Sequence, residues 1–271
     1  MRRPVALVTL VAFGFAFLYV PILTLVAYSF NASDRVTVWQ GFSTRWYAAL
    51  LADEQILGAA WLSFRIAVIT ATLATGLGLM AGYVMVRFGR FRTRAVFSAM
   101  LAAPLVVPEV ITGLSLLMLF IALESAVGWP SGRGMTTITI AHITFCTAYV
   151  AVVVQSRLSQ LDPSIEEAAL DLGAPPWRTF FLVTVPMLAP ALVAGWLLAF
   201  TLSIDDLVIA SFVSGPGAST LPMVIFSKVR LGLSPEINAL ATLFIAAVII
   251  GVSVALALTA RRATSASRPA R

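Results

Sequence analysis

Hydrophobic residues along the chain gather into six long segments that are separated by short polar stretches. Each segment holds about 20 or more mostly apolar residues, enough for an α-helix to cross about 30 Å of hydrocarbon at a rise of about 1.5 Å per residue. The pattern therefore predicts an all-α, polytopic membrane protein with six transmembrane helices. The predicted spans cover residues 5–29, 60–86, 95–123, 135–154, 185–213 and 237–260.

Composition indicates that lipid, rather than water, surrounds most of the chain. Hydrophobic residues make up 60% of the sequence and charged residues only 11%, whereas a soluble domain carries about 25% charged residues. The first apolar segment is also longer than the roughly 7–15 residues of a cleavable signal peptide, so we expect it to be a retained span. No internal repeat or low-complexity linker is evident, and we expect residues 1–271 to form a single transmembrane domain.

The distribution of basic residues predicts the orientation of the chain. The net charge is +6, but the basic residues lie in short clusters between apolar segments, which fits cytoplasmic loops better than a nucleic-acid partner. If the N-terminus is cytoplasmic, the inner segments hold 12 of the 18 Lys and Arg residues. The positive-inside rule then places both termini in the cytoplasm. The same orientation places an aromatic cluster around Trp39 outside, where we expect a short interfacial helix.

The longest inner connection, residues 156–184, has the pattern of two short helices joined by a turn. Asp162 can cap the first helix, or Ser164 and Glu167 can form a capping box. Gly173 is suited to end that helix, and the Pro-Pro pair shortly after it prevents continuation and starts the next helix. By spacing alone, an amphipathic helix that rests on the membrane surface is equally compatible with this pattern.

Three carboxylates, those of Glu109, Asp205 and Asp206, fall inside apolar segments. A charge at mid-bilayer costs about 2.5–3.5 kcal/mol on insertion scales, so each is a candidate for a substrate pathway. The third and fifth predicted spans contain no Lys or Arg. We therefore expect compensation from protonation, nearby hydroxyls, a partner subunit or a cationic substrate.

Each of these acids also has a structural interpretation. Pro104 and Pro108 interrupt the backbone before Glu109, which could simply hydrogen-bond to a neighbouring helix at the kink. One of the two aspartates could cap a helix break. His142 lies alone in the fourth predicted span, where a hydrogen-bonded interior residue is the expected role rather than a proton relay. The sequence suggests no metal site and no catalytic residue.

The residues of the inner connection also match a known pattern. Glu167-Ala168-Ala169, followed by Gly173, resembles the EAA loop of the permeases of binding-protein-dependent ABC importers. Further segments look like the polyamine (spermidine/putrescine) branch of that family, in particular the second permease subunits of putrescine importers. These segments are FLYVPILTLVAYSFN, APLVVPEVITGLSLL and LSIDDLVIASFVSGPGASTLP.

The resemblance implies a type I ABC-importer permease fold in a bacterial inner membrane. It further implies that Glu167, Ala168, Ala169 and Gly173 form a coupling helix that docks on a cytosolic ATPase. The implied partners are a paralogous permease in a heterodimer, two ATPase subunits, an extracytoplasmic substrate-binding protein and membrane lipid.

No cofactor is expected in this chain. A Walker A motif requires Gly-Lys-Ser/Thr, whereas the only lysine, Lys228, follows Ser227 and precedes Val229. We therefore do not expect an enzyme, and we assign the use of ATP and Mg to a partner.

Three alternatives remain from the sequence. One is an importer of the same architecture for another small substrate, although an anion would favour basic residues in the path. An ion-coupled cation carrier is the second, but carriers often show inverted repeats, which are not apparent here, and the EAA loop has no role in one. A membrane enzyme is third, and one His and one Cys leave little chemistry for it.

Overall fold

A computed structural model of the chain describes residues 5–35, 38–232 and 235–266, and regular structure in that part is helical. The one extended pairing among these residues is an isolated bridge between Asn31 and Phe42. The α-helices, numbered in chain order, are α1 Val5–Tyr28, α2 Arg45–Ala52, α3 Glu54–Arg87, α4 Arg94–Val106, α5 Glu109–Val127, α6 Met135–Leu158, α7 Ser164–Asp171, α8 Pro176–Thr179, α9 Val185–Ile204, α10 Val208–Val213, α11 Leu221–Leu231 and α12 Pro235–Ala266.

The helices confirm the all-α, polytopic prediction. Within the described residues, five helices are long and apolar enough to cross a membrane, namely Leu7–Tyr28, Glu54–Arg87, Glu109–Val127, Met135–Leu158 and Pro176–Ile204. A sixth apolar stretch, Pro235–Ile250, belongs to α12, which continues as helix to Ala266. The predicted count of six spans is therefore roughly consistent with the structure.

Two of the predicted spans, those over 95–123 and 185–213, are each divided into two helices in the structure. The first divides into α4 and α5 at Val107 and Pro108, whose backbones are extended (ψ 130° and 139°). Pro108 has no N–H to donate and disfavours helical geometry at the residue before it. The second divides into α9 and α10 at residues 205–207. Irregular backbone at membrane depth is tolerated where protein buries it or where it lines a water-filled cavity.

The described residues of 58–224 form one compact unit, and α6 is the most buried of its long apolar helices. Close helix packing there depends on glycine. A Cβ atom added at Gly78 would lie 2.6 Å from Val150, and one at Gly82 would lie 2.7 Å from Val154. The four-residue spacing places both glycines on one face of α3, so α3 approaches α6 more closely than any larger residue would permit.

The described residues of 1–57 and 225–271 form a second compact unit, which contains α1, α2 and α12. The side chain of Asn31 organises the turn before α2, because its amide donates to the carbonyl of Val38 and its oxygen accepts from the backbone of Gln40. Trp46 donates its indole N–H to the carbonyl of Asn31 at 2.8 Å. The short helix expected beside the aromatic cluster is therefore present as α2. The single-domain organisation stays a prediction.

Candidate functional site

The connection between α6 and α9 folds as the sequence predicts, with α7 and α8 separated by a tight turn. Of the two predicted caps, the structure uses Asp162, whose Oδ1 accepts from the backbone N–H of Ser164 at 2.9 Å. Hydrogen bonds from Ser164 hold the pKa of Asp162 below its ordinary value. The bond from the Ser164 N–H has the larger effect, and the bond from its hydroxyl the smaller. Gly173 has φ +85°, a left-handed conformation that favours glycine.

The α7–α8 connection presents a solvent-exposed surface. Glu167 and Ala168 are exposed, and Ala169 is half-buried. Two large apolar side chains lie on the same connection, with Leu172 89% and Trp177 61% exposed. Exposed apolar residues beside charged ones are typical of a protein contact site. All four residues predicted to couple the chain to an ATPase, Gly173 included, thus lie on this connection and are available for contact.

Glu166, the acid next to the predicted coupling residues, has a different environment. Its Oε2 lies 2.9 Å from Nε of Arg87, and its Oε1 accepts from the hydroxyl of Thr184 at 2.8 Å. The Arg87 and Glu166 side chains are only 17% and 14% exposed. Sequence analysis did not identify this pairing. A partner 79 positions away leaves no local signal in the sequence.

Glu109 is the first residue of α5, directly after the break at Pro108. Its side chain is exposed in the isolated chain. The first turn of a helix favours a carboxylate, because the unpaired N–H groups there carry partial positive charge. The sequence placed Glu109 in the interior of a kinked span, whereas the structure places it at the start of a new helix.

Asp205 and Asp206 follow the end of α9 and occupy different environments. Asp205 is exposed. Asp206 accepts from the backbone N–H groups of Ile209 and Ala210 at 3.3 and 2.8 Å, so it caps the start of α10. The expected alternative that one aspartate caps a helix break therefore applies to Asp206.

Asp206 also has a side-chain partner that sequence analysis missed. Its Oδ2 lies 3.2 Å from Nε2 of His142, whose Nδ1 lies 2.8 Å from the hydroxyl of Ser203. His142 and Asp206 side chains are only 2% and 6% exposed. The expectation of a hydrogen-bonded interior histidine is confirmed. The sources of compensation expected for Asp206 did not include this histidine. The sequence did contain a signal for this contact, because the chain's one histidine and the Asp205-Asp206 pair both lie in apolar segments, where each needs a polar partner.

The helices that follow the two breaks pack against each other. A Cβ atom at Gly113, one turn after Glu109, would lie 2.8 Å from the ring of Phe212 and 3.3 Å from Cα of Ile209. Helix α5, which begins at Glu109, therefore packs against α10, which directly follows the break that contains Asp205 and Asp206. The α7–α8 connection lies at the other end of α9, whose 20 residues span about 30 Å.

Comparison with known proteins agrees with this architecture. The chain is 62% identical to the putrescine transport system permease protein PotI of Escherichia coli K12 over 261 residues, which is 96% of this chain and 92% of the relative. It is 42% identical to the spermidine/putrescine transport system permease protein PotC of the same strain over 231 residues, 85% of each chain.

A crystal structure of a bacterial ABC transporter that imports the acidic polysaccharide alginate contains a chain with the same fold. The TM-score is 0.69, with 19% identity and coverage of 93% of this chain and 94% of that chain. Residues 74–265 match the family described as binding-protein-dependent transport system inner membrane component. The chain therefore belongs to that family of inner-membrane transport permeases.

Proposed function

We propose that this chain is the permease subunit of an ATP-driven importer that carries putrescine, and the related polyamine spermidine, across the bacterial inner membrane. The observation that carries the proposal is 62% identity, over 96% of the chain, to a putrescine transport permease. The second relative, described as a spermidine/putrescine permease, is less similar at 42%. Putrescine is therefore the first substrate to test.

The proposed complex contains a paralogous permease, two cytosolic ATPase subunits and an extracytoplasmic binding protein. Both termini of this chain lie in the cytoplasm, and ATP and Mg are used by the ATPase subunits. Docking involves Glu167, Ala168, Ala169 and Gly173. The exposed surface around Leu172 and Trp177 supports this assignment, because apolar side chains in contact with a partner would be removed from water.

The proposed substrate pathway passes the acids at the two helix breaks. Putrescine carries two ammonium groups near neutral pH, and moving them through hydrocarbon without counter-charge is prohibitive. A carboxylate about 4 Å from an ammonium contributes about 4 kcal/mol at an effective dielectric of 20. That interaction offsets part of the desolvation without trapping the substrate, as a conduit requires.

The structure supports different roles for the three acids. Glu109 and Asp205 are exposed, so their carboxylates are free to contact a cation. Asp206 is occupied by two backbone N–H groups and by His142. We therefore assign direct substrate contact to Glu109 and Asp205. We assign Asp206 a structural role, in which it holds the helix break beside the pathway in place.

Uptake of radiolabelled putrescine by the reconstituted complex tests this function. Glu109→Gln and Asp205→Asn keep the side-chain shape and remove the charge. Each should slow putrescine uptake at least tenfold, equivalent to about 1.4 kcal/mol, while assembly and basal ATP hydrolysis remain near normal. Glu54→Gln, an exposed acid at the start of α3, is the matched control.

Two results would count against the proposal. If the wild-type complex transports other small solutes but not polyamines, the substrate assignment is wrong. If both variants transport putrescine at the wild-type rate, the acids have no role in the pathway and serve only the structure of the helix breaks.

A further inference from the structure

Glu166 bridges three elements of the 58–224 unit. Its two carboxylate oxygens bind different partners, namely Arg87 at the end of α3 and Thr184 immediately before α9. Glu166 itself lies in the first turn of α7. The Glu166 side chain thus connects the start of the coupling connection to the C-terminal end of α3 and to the residue that precedes α9.

A second contact joins the same elements. Tyr83, one turn before Arg87, packs edge-on against Phe180 with ring centroids 4.9 Å apart. Phe180 begins a π-helical turn, Phe180–Thr184, that ends at the hydroxyl donor to Glu166. Single π-helical turns inside α-helices are rare and frequently occur at functional sites. The end of α3 is therefore linked to this turn twice. The Tyr83 ring contacts Phe180 directly, and Arg87 is connected to Thr184 through Glu166.

The ion pair is incompletely satisfied, which distinguishes it from a purely structural buried pair. Nη2 of Arg87 is buried and has no hydrogen-bond partner among the described residues. A buried charge pair is favourable only when its remaining donors and acceptors are also paired. An open donor leaves Arg87 able to pair differently when α7 moves, as a residue in a two-state element requires.

We propose that Glu166 is a positioning residue that transmits movement of the coupling connection into α3 and α9. The proposal rests on the docking of an ATPase at the α7–α8 connection, as proposed above. Glu167, Ala168 and Gly173 make the contact surface, and Glu166 carries the resulting displacement inward. Because α9 ends at Ile204, next to Asp205, a displacement at the bridge reaches the helix break about 30 Å away.

The test measures ATP hydrolysed per putrescine transported in the reconstituted complex, together with co-purification of the ATPase. Glu166→Gln keeps an acceptor for Thr184 but removes the charge that pairs with Arg87. Thr184→Val removes only the hydroxyl, and Thr184→Ser retains it. We expect Glu166→Gln and Thr184→Val to raise the ratio by about two- to thirtyfold, the range of residues within coupling networks. Thr184→Ser, which keeps the hydroxyl, should show the wild-type ratio.

Coupling between the two charges provides a further readout. The double variant Arg87→Gln, Glu166→Gln should be no more impaired than either single variant, because contacting residues that act as a unit are non-additive. The control is Asp34→Asn, which breaks the exposed pair between Asp34 and Arg45. An exposed pair contributes little, so this variant should keep the wild-type ratio.

The outcomes separate this proposal from the one on which it rests. If the wild-type chain does not bind the ATPase, docking at this connection is wrong. If the complex assembles and the ratio is unchanged in Glu166→Gln and Thr184→Val, transmission through Glu166 is wrong. Equal defects in Thr184→Ser and Thr184→Val would also overturn it, because they would indicate a packing requirement rather than a hydrogen bond.

Discussion

His142 lies with its Nε2 atom 3.2 Å from Oδ2 of Asp206, and both side chains are almost completely buried. The contact joins α6 to the start of α10, while the other ring nitrogen of His142 contacts Ser203 near the end of α9. One imidazole therefore contacts both the last turn of α9 and the break at residues 205–207. Asp205, adjacent in sequence, remains exposed. The pair explains how two neighbouring acids come to have different environments.

The first prediction is that removing His142 weakens the helix break rather than substrate binding. His142→Phe keeps a ring but leaves polar atoms of Ser203 and Asp206 buried without this partner, at a cost of about 1–3 kcal/mol. The purified subunit should unfold at a lower temperature, and the maximal rate of putrescine uptake should fall with little change in KM. Asp205→Asn should instead raise KM. A change confined to KM in His142→Phe would contradict the positioning role.

Local chemistry made the α7–α8 connection predictable from sequence. Asp162, Gly173 and the following prolines act on their immediate neighbours, so the positions of α7 and α8 could be inferred without any knowledge of the tertiary structure. The break before Glu109 was likewise signalled by Pro108, although the sequence indicated a kink and not a complete interruption.

Tertiary contacts account for what the sequence did not reveal. No proline or glycine marks the break at 205–207, and its cap, Asp206, is also held by a histidine 64 positions away. Arg87 counted toward the positive-inside pattern, but its pairing with Glu166 depends on how α3 packs beside α7. Such pairs arise only when the helices are assembled, so periodicity and composition cannot identify them.

The second prediction concerns the turn at Gly173. Valine is strained at φ +85°, because its branched Cβ is incompatible with left-handed backbone, whereas asparagine tolerates that conformation. Gly173→Val should abolish stimulation of the ATPase by substrate, and Gly173→Asn should retain most of it. Both variants should insert in the membrane at normal levels. Equal loss in the two variants would show that the site requires the absence of a side chain rather than the backbone conformation.

The third prediction tests the orientation drawn from the arginine distribution. Single cysteines introduced beside Arg92 and Arg178 should react only with membrane-permeant thiol reagents, and one beside Trp39 should react with impermeant reagents as well. The native Cys146 is buried, so its background labelling should be low. The opposite pattern of labelling would place both termini outside the cytoplasm.

The fourth prediction concerns the charge cluster around Lys228. Its Nζ lies 2.5 Å from Oδ2 of Asp53 and 3.5 Å from Oε2 of Glu236. Burial alone would raise the pKa of Asp53, but the hydrogen bond from Lys228 and the N–H of Ile56 outweigh it, and the pKa lies below its ordinary value. Burial alone would lower the pKa of Lys228, but its bond to Asp53 and the two negative charges raise it.

These directions determine the pH dependence of the stability that the cluster provides. A lowered Asp53 pKa stabilises the fold above the ordinary value of about 3.9, and this contribution is lost as the pH falls through the lowered pKa. A raised Lys228 pKa stabilises it below about 10.4, and this contribution is lost as the pH rises through the raised pKa. Between these limits, Lys228→Met should lower the melting temperature of the detergent-purified subunit by a nearly constant amount.

We expect that amount to be about 2–4 °C, which corresponds to about 1 kcal/mol in a chain of this size. Lys228→Arg retains the charge and should recover most of the loss. As the pH rises beyond about 10.4 and through the raised pKa of Lys228, the melting temperatures of wild type and Lys228→Met should converge, because the wild-type ammonium then loses its proton and with it the attraction to Asp53 and Glu236. A difference that persists unchanged at high pH would show that Lys228 stabilises the subunit through packing of its aliphatic stem instead.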